Sequence, residues 1–566
     1  MTQLVALAKP IALPHIDYLA ILPILVLLGG ALVILLWSSL TRRPLDTVWV
    51  TSLTVLAAAA SLVIGLLQYY DVRDHGAHTT IAHAVVQDGF SAFMTVLVSA
   101  AIFVSAIIGD AWLTRERITG PELHVLLLVS GSGAIVMASA NDLILVFLGL
   151  EILSIALYVL AATNSRRAES GEAALKYFVL GGFSSAIFLY GIALVYGATG
   201  TTNLPQLAAY LAHNVLLHNG LLLGGLALLL VGFGFKIAAV PFHQWTPDVY
   251  QGSPSPVTGF MASVAKIGAF AALLRVFVSS FGVLRSDWRP AIWVLAAITL
   301  VVGAVLAVVQ RDVKRMLAYS SINHAGFVLL GVQAATGKGV DSSLYYLFAY
   351  SFMVLGSFAV VTVVGGRGDS RHDLQRYRGL AARQPVLAAA FAVLLVAQAG
   401  VPFTTGFLAK LNVVEAAVGA HSTDLAVVAM VSAVIAAFFY IRVIVLMYAP
   451  LAGRRFALAF AGAGEQGAAA GGGADLGSPE PAPALAAVHA AGAADVAAAG
   501  QEVPVAVGAD AAGAGPVGEP EHTADLQVPG SIIFALAICV AVTVVFGVIP
   551  WPLTAFAHHA TLLFRP

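Results

Sequence analysis

Charged loops divide the chain into fourteen apolar stretches, each long enough for one membrane-spanning helix. Such a helix needs about 20 mainly apolar residues. Charged residues make up only 10% of the 566 positions, whereas soluble domains carry about a quarter. We therefore predict an all-α, multi-pass membrane protein, which excludes a soluble globular fold. The predicted spans centre near Val26, Ala57, Val98, Val129, Ile155, Ile187, Leu229, Ala265, Ala297, Ala325, Val354, Leu394, Val434 and Ala541.

The distribution of positive charge predicts how these spans are oriented. Alternate loops contain sixteen Lys and Arg residues, whereas the opposite side, including both termini, contains six. Because positively charged loops stay in the cytoplasm, we expect both termini on the outer side of a bacterial plasma membrane. The first apolar stretch follows neither a basic start nor a cleavage site, so we expect it to be a retained helix.

The residue inventory restricts the chemistry of this chain. Cys539 is its only cysteine, which excludes an internal disulfide bond and a thiolate metal cluster. No glycine-rich dinucleotide fingerprint follows a predicted strand. The formal net charge of −1 argues against a nucleic-acid partner. We expect this chain to bind no cofactor and no metal, so that any redox chemistry takes place in partner subunits.

A short sequence repeat marks two segments that are broken by proline. The hexapeptide AAVPFH at 238–243 recurs as AGVPFT at 399–404, and Pro241 and Pro402 each interrupt an apolar stretch. Five predicted spans separate the copies, and an odd number places the second copy upside down in the membrane. Broken helices at matching positions of inverted repeats are typical of transporter sites.

Composition and the repeat together divide the chain into five segments. Residues 456–528 lack Lys and Arg, contain nine acidic residues and have too few large apolar side chains to offset the entropy of ordering. The expected segments are a three-helix N-terminal segment (1–121), the first five-helix repeat (122–278), the second, inverted repeat (289–451), a disordered acidic Ala/Gly-rich cytoplasmic loop (452–529) and a C-terminal transmembrane helix (530–566).

Five charged side chains lie inside predicted spans, and four of them are lysines. A charge at the centre of a membrane helix costs roughly 2.5–3.5 kcal/mol. These groups must therefore face one another, water or freed backbone, and the proline breaks supply freed backbone beside two of the lysines. The five residues are Glu151, Lys176, Lys236, Lys266 and Lys410.

A histidine lies between the two broken segments in sequence. His324 belongs to the motif SSINHAGF in the tenth predicted span, and an imidazole, which titrates near pH 6.5 when unperturbed, suits a proton relay between amines. Because a desolvated lysine gives up its proton readily, we expect Lys236, Lys266, His324 and Lys410 to pass protons across the membrane centre. Movement of the Glu151 carboxylate would then control proton release from Lys236.

Each of these residues also has a simpler structural alternative. Lys236 can form an ion pair with Glu151 that serves stability alone, and Lys266 and Lys410 can extend towards the membrane interface. Lys176 lies about two turns from a predicted interface, so an interfacial role suits it as well as a relay role. A lone histidine such as His324 can be a hydrogen-bonded core residue.

Several motifs together resemble one family of membrane proteins. The most specific is FKIAAVPFHQWTPDVYQGSPSPVTGFMASVAKIGAF at 235–270, supported by LGLEILSIALYVL, EAALKYFVLGGFSSAIFLYG, AYSSINHAGF and AGVPFTTGFLAKL. They resemble the antiporter-like membrane subunits of respiratory NADH–quinone oxidoreductase (complex I), most of all the subunit N type. The resemblance covers nearly all of the chain outside 456–528. Lys410 favours types N and L over type M. We expect no long lateral helix after the fourteenth span, which argues against type L.

The resemblance implies a fold, a function and a set of partners. It implies a proton channel in which Glu151 pairs with Lys236, Lys266 and His324 form the centre, and Lys410 lies at the exit. The implied partners are the other antiporter-like and small helical membrane subunits of complex I, within a lipid bilayer. NADH, quinone, FMN and iron–sulfur clusters are handled elsewhere in that complex.

Two other classes of function share some of these features. A subunit of a multi-component cation/proton antiporter has the same fold and similar charges, and is the alternative to a complex I subunit. A stand-alone solute carrier is the third class, and it predicts a substrate pocket and transport by this chain alone.

Overall fold

The computed structural model describes residues 16–41, 46–214, 219–450 and 526–560, and these are almost entirely helical. In chain order the helices are α1 (Tyr18–Leu40), α2 (Thr47–His75), α3 (Gly89–Glu116), α4 (Glu122–Ser139), α5 (Leu143–Ala161), α6 (Ala168–Thr199), α7 (Leu204–His213), α8 (Gly220–Ile237), α9 (Trp245–Gly252), α10 (Ser255–Ser280), α11 (Arg285–Val308), α12 (Val313–Ala334), α13 (Gly337–Val364), α14 (Leu380–Arg383), α15 (Pro385–Ala399), α16 (Thr405–Gly419), α17 (Thr423–Tyr448), α18 (Gly530–Val548) and α19 (Trp551–His559). Short 3₁₀ turns occupy Gly282–Leu284, Arg367–Asp369 and Leu374–Tyr377.

Twelve of the described helices are long and apolar enough to cross a membrane: α1 to α6, α8, α10, α11, α13, α17 and α18. The prediction of a multi-pass, all-α membrane protein is therefore confirmed at this level. Two of the fourteen predicted spans, near Ala325 and Leu394, lie outside the twelve. The first, α12, has 22 residues, but its hydropathy is lowered by the polar residues in its middle, Ser320, Ser321, Asn323 and His324. The second, α15, has only 15 residues before it ends at Ala399.

A small β-hairpin between α2 and α3 was not predicted. Strand His78–Thr80 pairs antiparallel with strand Val85–Gln87. Its loop contacts the residues just before α5, because the backbone N–H of Asn141 donates to the carbonyl oxygen of Ala84 at 2.8 Å. The hairpin thus adds a short β element to the otherwise helical part of the chain that the structure describes.

Burial separates inner from outer helices. In the most apolar part of α10 and of α13, 94% of the residues are buried, against 28% in α1. The outer helices keep many exposed Leu, Val and Phe side chains, which suits contact with lipid chains. The inner helices therefore lie where charged side chains are shielded from lipid by protein.

The first broken segment joins α8 to α9 through a turn that contains Pro241, which follows a cis peptide bond. The backbone groups freed by this turn find partners inside the protein. Trp245 Nε1 donates to the Phe235 carbonyl oxygen at 3.0 Å, and the Val240 amide donates to Thr299 Oγ1 at 2.9 Å. Backbone satisfied in this way is tolerated at membrane depth.

The second broken segment, which contains Pro402, joins α15 to α16. Gly400 follows α15 with φ +91°, a left-handed conformation that favours glycine. A Cβ atom at Gly400 would lie 2.9 Å from Cδ of Lys410. The glycine therefore lets the Lys410 side chain lie directly against the end of α15.

Helix α10 contains two π-helical stretches, Met261–Ala265 and Leu274–Ser280. The first ends immediately before Lys266, and the second includes Arg275. Such bulges are frequent at functional sites because they turn side chains out of the regular helical register. Both wide turns thus adjust the direction of a buried basic residue.

One prediction falls largely outside the described part of the chain. The disordered loop predicted over 452–529 is described only from residue 526, and it stays a prediction. The two chain ends, residues 1–15 and 561–566, also lie outside the described residues.

Candidate functional site

Lys236 lies on α8 and is buried against α5 and α6, with 3% of its surface exposed. Its Nζ donates to Ser154 Oγ at 2.7 Å and to the Tyr177 hydroxyl at 3.3 Å. The same nitrogen lies 5.6 Å from the ring centre of Tyr158 and 5.2 Å from that of Tyr177. Hydroxyl oxygens and aromatic faces therefore surround this amine.

Glu151 does not contact Lys236 directly. No ion pair within 4.0 Å joins the two among the described residues, and Glu151 Oε1 is buried without a hydrogen-bond partner there. The amine instead binds Ser154, three residues further along α5 and therefore on the same face of that helix. A cavity of ≈ 10 Å³ beside Lys236 is also lined by Ser184 and Ser185, which is about the space that one water needs.

Lys176 lies apart from the buried lysines. Its side chain is 42% exposed and forms ion pairs with Glu172 at 2.7 Å and Asp248 at 3.0 Å. Asp248 also pairs with Arg315 at 2.7 Å. The structure thus places Lys176 in a partly exposed network of charges, a position typical of an interface.

Lys266 is buried on α10 and faces α12 and α13. Its Nζ donates to the backbone carbonyl oxygen of Ser321 and lies 5.5 Å from the ring centre of Tyr350. The Tyr350 hydroxyl in turn donates to Ser321 Oγ at 2.8 Å. Residue Ser321 therefore links the lysine to a buried tyrosine.

His324 lies between two tyrosine hydroxyls. Its Nδ1 is 2.7 Å from the hydroxyl of Tyr346 on α13, and its Nε2 is 3.1 Å from the hydroxyl of Tyr440 on α17. Since a hydroxyl can donate or accept a hydrogen bond, either ring nitrogen can carry the proton. Proton exchange at His324 thus requires no loss of these contacts.

Lys410 is bound by the end of the helix before the break. Its Nζ donates to the carbonyl oxygens of Gln398 and Ala399, both at 2.9 Å. It also lies 4.9 Å from the ring centre of Phe327. The carbonyls that α15 leaves without helical partners therefore bind the amine.

Gln398 connects Lys410 with His324. Its Oε1 accepts a hydrogen bond from the Tyr440 hydroxyl at 3.5 Å, while its backbone carbonyl binds Lys410. Ser320 also contacts Tyr440 and donates to Gln398 Oε1 at 3.4 Å. These contacts place His324 and Lys410 in one hydrogen-bonded network.

Aromatic side chains occupy the interval between Lys236 and Lys266. Tyr177, which binds Lys236, stacks on Trp245 with ring centres 4.5 Å apart, and Trp245 lies 6.2 Å from Tyr250. The hydroxyl of Tyr250 faces Ser321, the residue that binds Lys266. The two lysines are thus joined through aromatic neighbours rather than by an unbroken series of hydrogen bonds among the described residues.

The sequence did not reveal the partners of these amines and of His324. Ser154 could have been found, because it lies three residues after Glu151 and shares its helical face. Gln398 could also have been found as a polar residue at the end of an apolar helix. The tyrosines carry no local signal, since each meets its partner across a contact between helices. The missed residues are Ser154, Tyr177, Ser320, Ser321, Tyr346, Tyr350, Gln398 and Tyr440.

A buried ion pair fastens α10 to α3. Arg275 donates to Asp88 through two nitrogens, at 2.8 and 2.9 Å, and through Nε to the Ala138 carbonyl oxygen at 2.9 Å. Asp88 also caps α3 by accepting from the Ser91 amide at 2.7 Å. Both charges are therefore compensated, and the pair is structural.

A second buried pair joins Lys314 to Asp369, both fully buried. Lys314 counts among the loop charges in the sequence, but the structure places it in the first turn of α12. Asp369 accepts hydrogen bonds from the Ser255 amide and hydroxyl, each at 2.7 Å, and contacts His372 at 3.2 Å. Burial alone raises the pKa of a carboxyl group, but Lys314 and His372 outweigh it and hold the pKa of Asp369 below its ordinary value.

Lys236, Lys266 and Lys410 share one feature that Lys314 and Arg275 lack. None of the three lies within 4.0 Å of a carboxylate among the described residues, and their polar partners are hydroxyl and carbonyl oxygens. Such oxygens accept hydrogen bonds from an ammonium group without neutralising its charge. The arrangement therefore suits amines that gain and lose protons better than amines that serve only as structural cations.

Comparison with known proteins gives this arrangement a family. The family model described as NADH:quinone oxidoreductase/Mrp antiporter, TM, matches residues 140–436. NADH-quinone oxidoreductase subunit N of Rhodococcus opacus (strain B4) is 49% identical over 349 residues, which are 62% of this chain and 64% of that protein. Subunit N of Parafrankia sp. (strain EAN1pec) is 43% identical over 467 residues, covering 78% of this chain and 88% of that protein.

A solved structure agrees with these sequence matches. A chain in the respiratory complex I from Thermus thermophilus with bound aureothin is 28% identical, with a TM-score of 0.70. The match covers 94% of this chain and 98% of that one. The resemblance inferred from the motifs is thereby confirmed, and the chain belongs to the NADH:quinone oxidoreductase/Mrp antiporter family of membrane proteins.

Proposed function

We propose that this chain is a non-redox membrane subunit of an NADH–quinone oxidoreductase, of the subunit N type, that carries protons across the bacterial plasma membrane. One observation carries the proposal: Lys236, Lys266 and Lys410 are buried without a carboxylate partner within 4.0 Å among the described residues. A charge so placed costs several kcal/mol, which is reasonable where the charge is needed for transport. Electron transfer from NADH to quinone in partner subunits would drive the protons.

The proposed route uses Lys236, Lys266, His324 and Lys410 in this order. His324 and Lys410 share the hydrogen-bonded network through Gln398, which supports their adjacency in the route. Glu151 remains the proposed control group for Lys236, acting across Ser154 and the small cavity rather than through a direct ion pair. We leave Lys176 outside the route because it is partly exposed and doubly paired.

We further propose that the fold has fourteen membrane-crossing units in two inverted repeats, 122–278 and 289–451. Helix α12 and the broken pair α15 and α16 would complete the twelve long apolar helices. The segments 1–121, 452–529 and 530–566 would flank or follow the repeats as an N-terminal three-helix segment, a cytoplasmic loop and a last transmembrane helix. Both termini would lie outside, according to the positive charge of the loops.

The proposed partners are the other antiporter-like and small helical membrane subunits of the complex, with FMN and iron–sulfur clusters in the subunits that handle NADH and quinone. A subunit of a cation/proton antiporter is the second candidate, because the matching family model covers both groups in its description. Co-purification separates them. Flavin- and iron–sulfur-containing partners support the first candidate, and small antiporter subunits support the second.

The central experiment replaces Lys236 by alanine in the assembled complex. We expect Lys236→Ala to abolish or strongly lower proton pumping and to slow the coupled oxidation of NADH. Lys176→Ala is the matched control, since it also removes one lysine, and it should pump normally. Pumping at the wild-type rate and stoichiometry in an assembled Lys236→Ala complex would remove Lys236 from the route.

A further inference from the structure

A cavity of ≈ 730 Å³ opens beside the first turn of α13, where α16 and α19 also meet. It is large enough to contain many waters, since about 10–15 Å³ of such space is enough for one. Its polar lining includes Lys338, Asp341, Ser342, Asn412 and His558. We call it the α13–α19 cavity, and nothing in the proposed route has yet used it.

Asp341 and His558 form an acid–base pair in this cavity. Asp341 Oδ2 lies 2.9 Å from His558 Nδ1. The Asp341 side chain is 20% exposed, whereas that of His558 is 73% exposed. The pair therefore connects a partly buried carboxylate with a solvent-exposed imidazole. The second carboxylate oxygen, Oδ1, is buried and has no hydrogen-bond partner among the described residues. A buried acceptor without a partner is costly, which points to water or a proton as its occupant.

Two helices connect the cavity with the buried network. On α13, Tyr345 lines the cavity, and the next residue, Tyr346, binds His324. On α16, Asn412 lines the cavity two residues beyond Lys410, which is about 3 Å along the helix axis. Measured along the two helix axes, residues that line the cavity therefore lie within one turn of Tyr346, which binds His324, and of Lys410 itself.

We propose that the α13–α19 cavity is the outlet of the proton route and that Asp341 is its acceptor. A proton leaving Lys410 or His324 crosses the waters of the cavity, binds the free Asp341 oxygen, moves to His558 and leaves for the solution. Each step moves one proton between an acid and a base, and no bond other than those to hydrogen changes. The inference rests on the proposed function, which supplies the proton.

The other charged groups near Asp341 do not replace it. His559 lies next to His558 on α19, with ring centres 5.8 Å apart. Lys338 and Glu415 form an ion pair whose side chains are 53% and 59% exposed, so they are open to solvent and already compensated. Asp341 is the carboxylate that the cavity shields, and it is therefore the group that we assign to the outlet.

The test compares Asp341→Asn with Asp341→Glu and Glu415→Gln in the assembled complex, in inverted membrane vesicles. Loss of an acid–base group lowers a proton-transfer step by about 10²–10⁴-fold when no substitute exists, and cavity water is a partial substitute. We therefore expect Asp341→Asn to lower the initial pumping rate about three- to tenfold and to abolish its dependence on the pH inside the vesicle. Asp341→Glu should restore both, and Glu415→Gln should leave both at the wild-type level.

The outcomes separate this inference from the proposed function. Wild-type pumping by Asp341→Asn overturns the outlet, and so does an equal loss in Asp341→Glu, which would indicate a structural role. The variant Lys410→Ala distinguishes a wrong outlet from a wrong proton route. Loss of pumping in Lys410→Ala together with normal pumping in Asp341→Asn overturns the outlet alone. Normal pumping in Lys410→Ala overturns the proposed route itself.

Discussion

The Lys410 amine lies 2.9 Å from the carbonyl oxygen of Gln398, and the side chain of the same glutamine binds the tyrosine that contacts His324. A proline-broken helix end and a histidine on another helix thus meet at one residue. A change in the charge of Lys410 alters the electric field at the Gln398 carbonyl. Because the Gln398 side chain contacts Tyr440, which contacts His324, the surroundings of His324 change as well. We therefore expect the charge states of Lys410 and His324 to depend on each other.

The Tyr440 hydroxyl can be tested by replacing Tyr440 with phenylalanine. The change removes one oxygen that contacts both His324 and Gln398 and keeps the ring. We expect proton pumping to fall about tenfold or more, as for the loss of a positioned acid–base partner, while the complex assembles normally. Vesicle acidification during NADH oxidation measures the effect. Tyr448→Phe, on the same helix but 56% exposed, is the control and should pump at the wild-type rate.

The Ser154 hydroxyl is the closest polar partner of Lys236. We expect Ser154→Ala to lower pumping, because the amine loses an acceptor in a buried site, where an unmade hydrogen bond costs about 1–3 kcal/mol. Ser154→Thr keeps a hydroxyl and should retain part of the activity. The initial pumping rate per NADH oxidised is the measurement. Unchanged pumping in Ser154→Ala would show that this contact does not affect proton transfer at Lys236.

The interfacial position of Lys176 predicts that its loss has little effect on pumping. Its exposed ion pairs with Glu172 and Asp248 contribute little to stability, because solvent and salt screen them. Lys176→Met should therefore leave pumping within about twofold of the wild type, since a surface pair contributes so little free energy. Pumping and NADH oxidation rates check this, and a loss as large as that of Lys236→Ala would return Lys176 to the route.

The Asp369 carboxylate predicts an effect on stability. Asp369→Asn leaves Lys314 buried without its counter-charge, and breaking a buried pair from one side costs about 3–5 kcal/mol. Thermal unfolding of the purified complex should therefore occur at a lower temperature. Asp373→Asn changes an exposed residue of the same loop and should leave the unfolding temperature unchanged.

The same carboxylate gives the direction of a pH effect. Because the pKa of Asp369 in the folded protein is lowered, its contribution to stability is complete above the ordinary aspartate pKa of about 3.9. It is lost as the pH falls below about 4 towards the lowered value. Wild type and Asp369→Asn should therefore differ less in unfolding temperature at low pH than at pH 7. An equal difference at both pH values would contradict this assignment.

Much of the fold could be predicted from the sequence because the bilayer sets the length of an apolar helix. This length rule predicts the spans that correspond to α10 and α13. The same rule says less about α12, whose middle contains the polar residues Asn323 and His324, and nothing about the hairpin of His78–Thr80 with Val85–Gln87. That hairpin depends on contacts with other loops, which leave no periodic pattern in the sequence.

The candidate site could be predicted in part for a similar reason. A lysine in an apolar run is conspicuous because its insertion is costly, so Lys236, Lys266 and Lys410 stand out. Their partners are ordinary residues in sequence. Tyr440, for example, is 116 residues from His324, and the contact exists only because α12 and α17 pack together. The sequence likewise could not show that Ser154, rather than Glu151, binds Lys236.

The burial of α10 and α13 affects how well this subunit prevents ions from leaking across the membrane. With 94% of the residues in their most apolar parts buried, protein rather than acyl chains insulates the ammonium groups of Lys266 and its neighbours. Thinning or fluidising the lipid would then change the outer helices first and leave the electrical barrier around the inner amines intact. Leakage of ions through this subunit should accordingly depend more on helix packing than on the fatty acids around it.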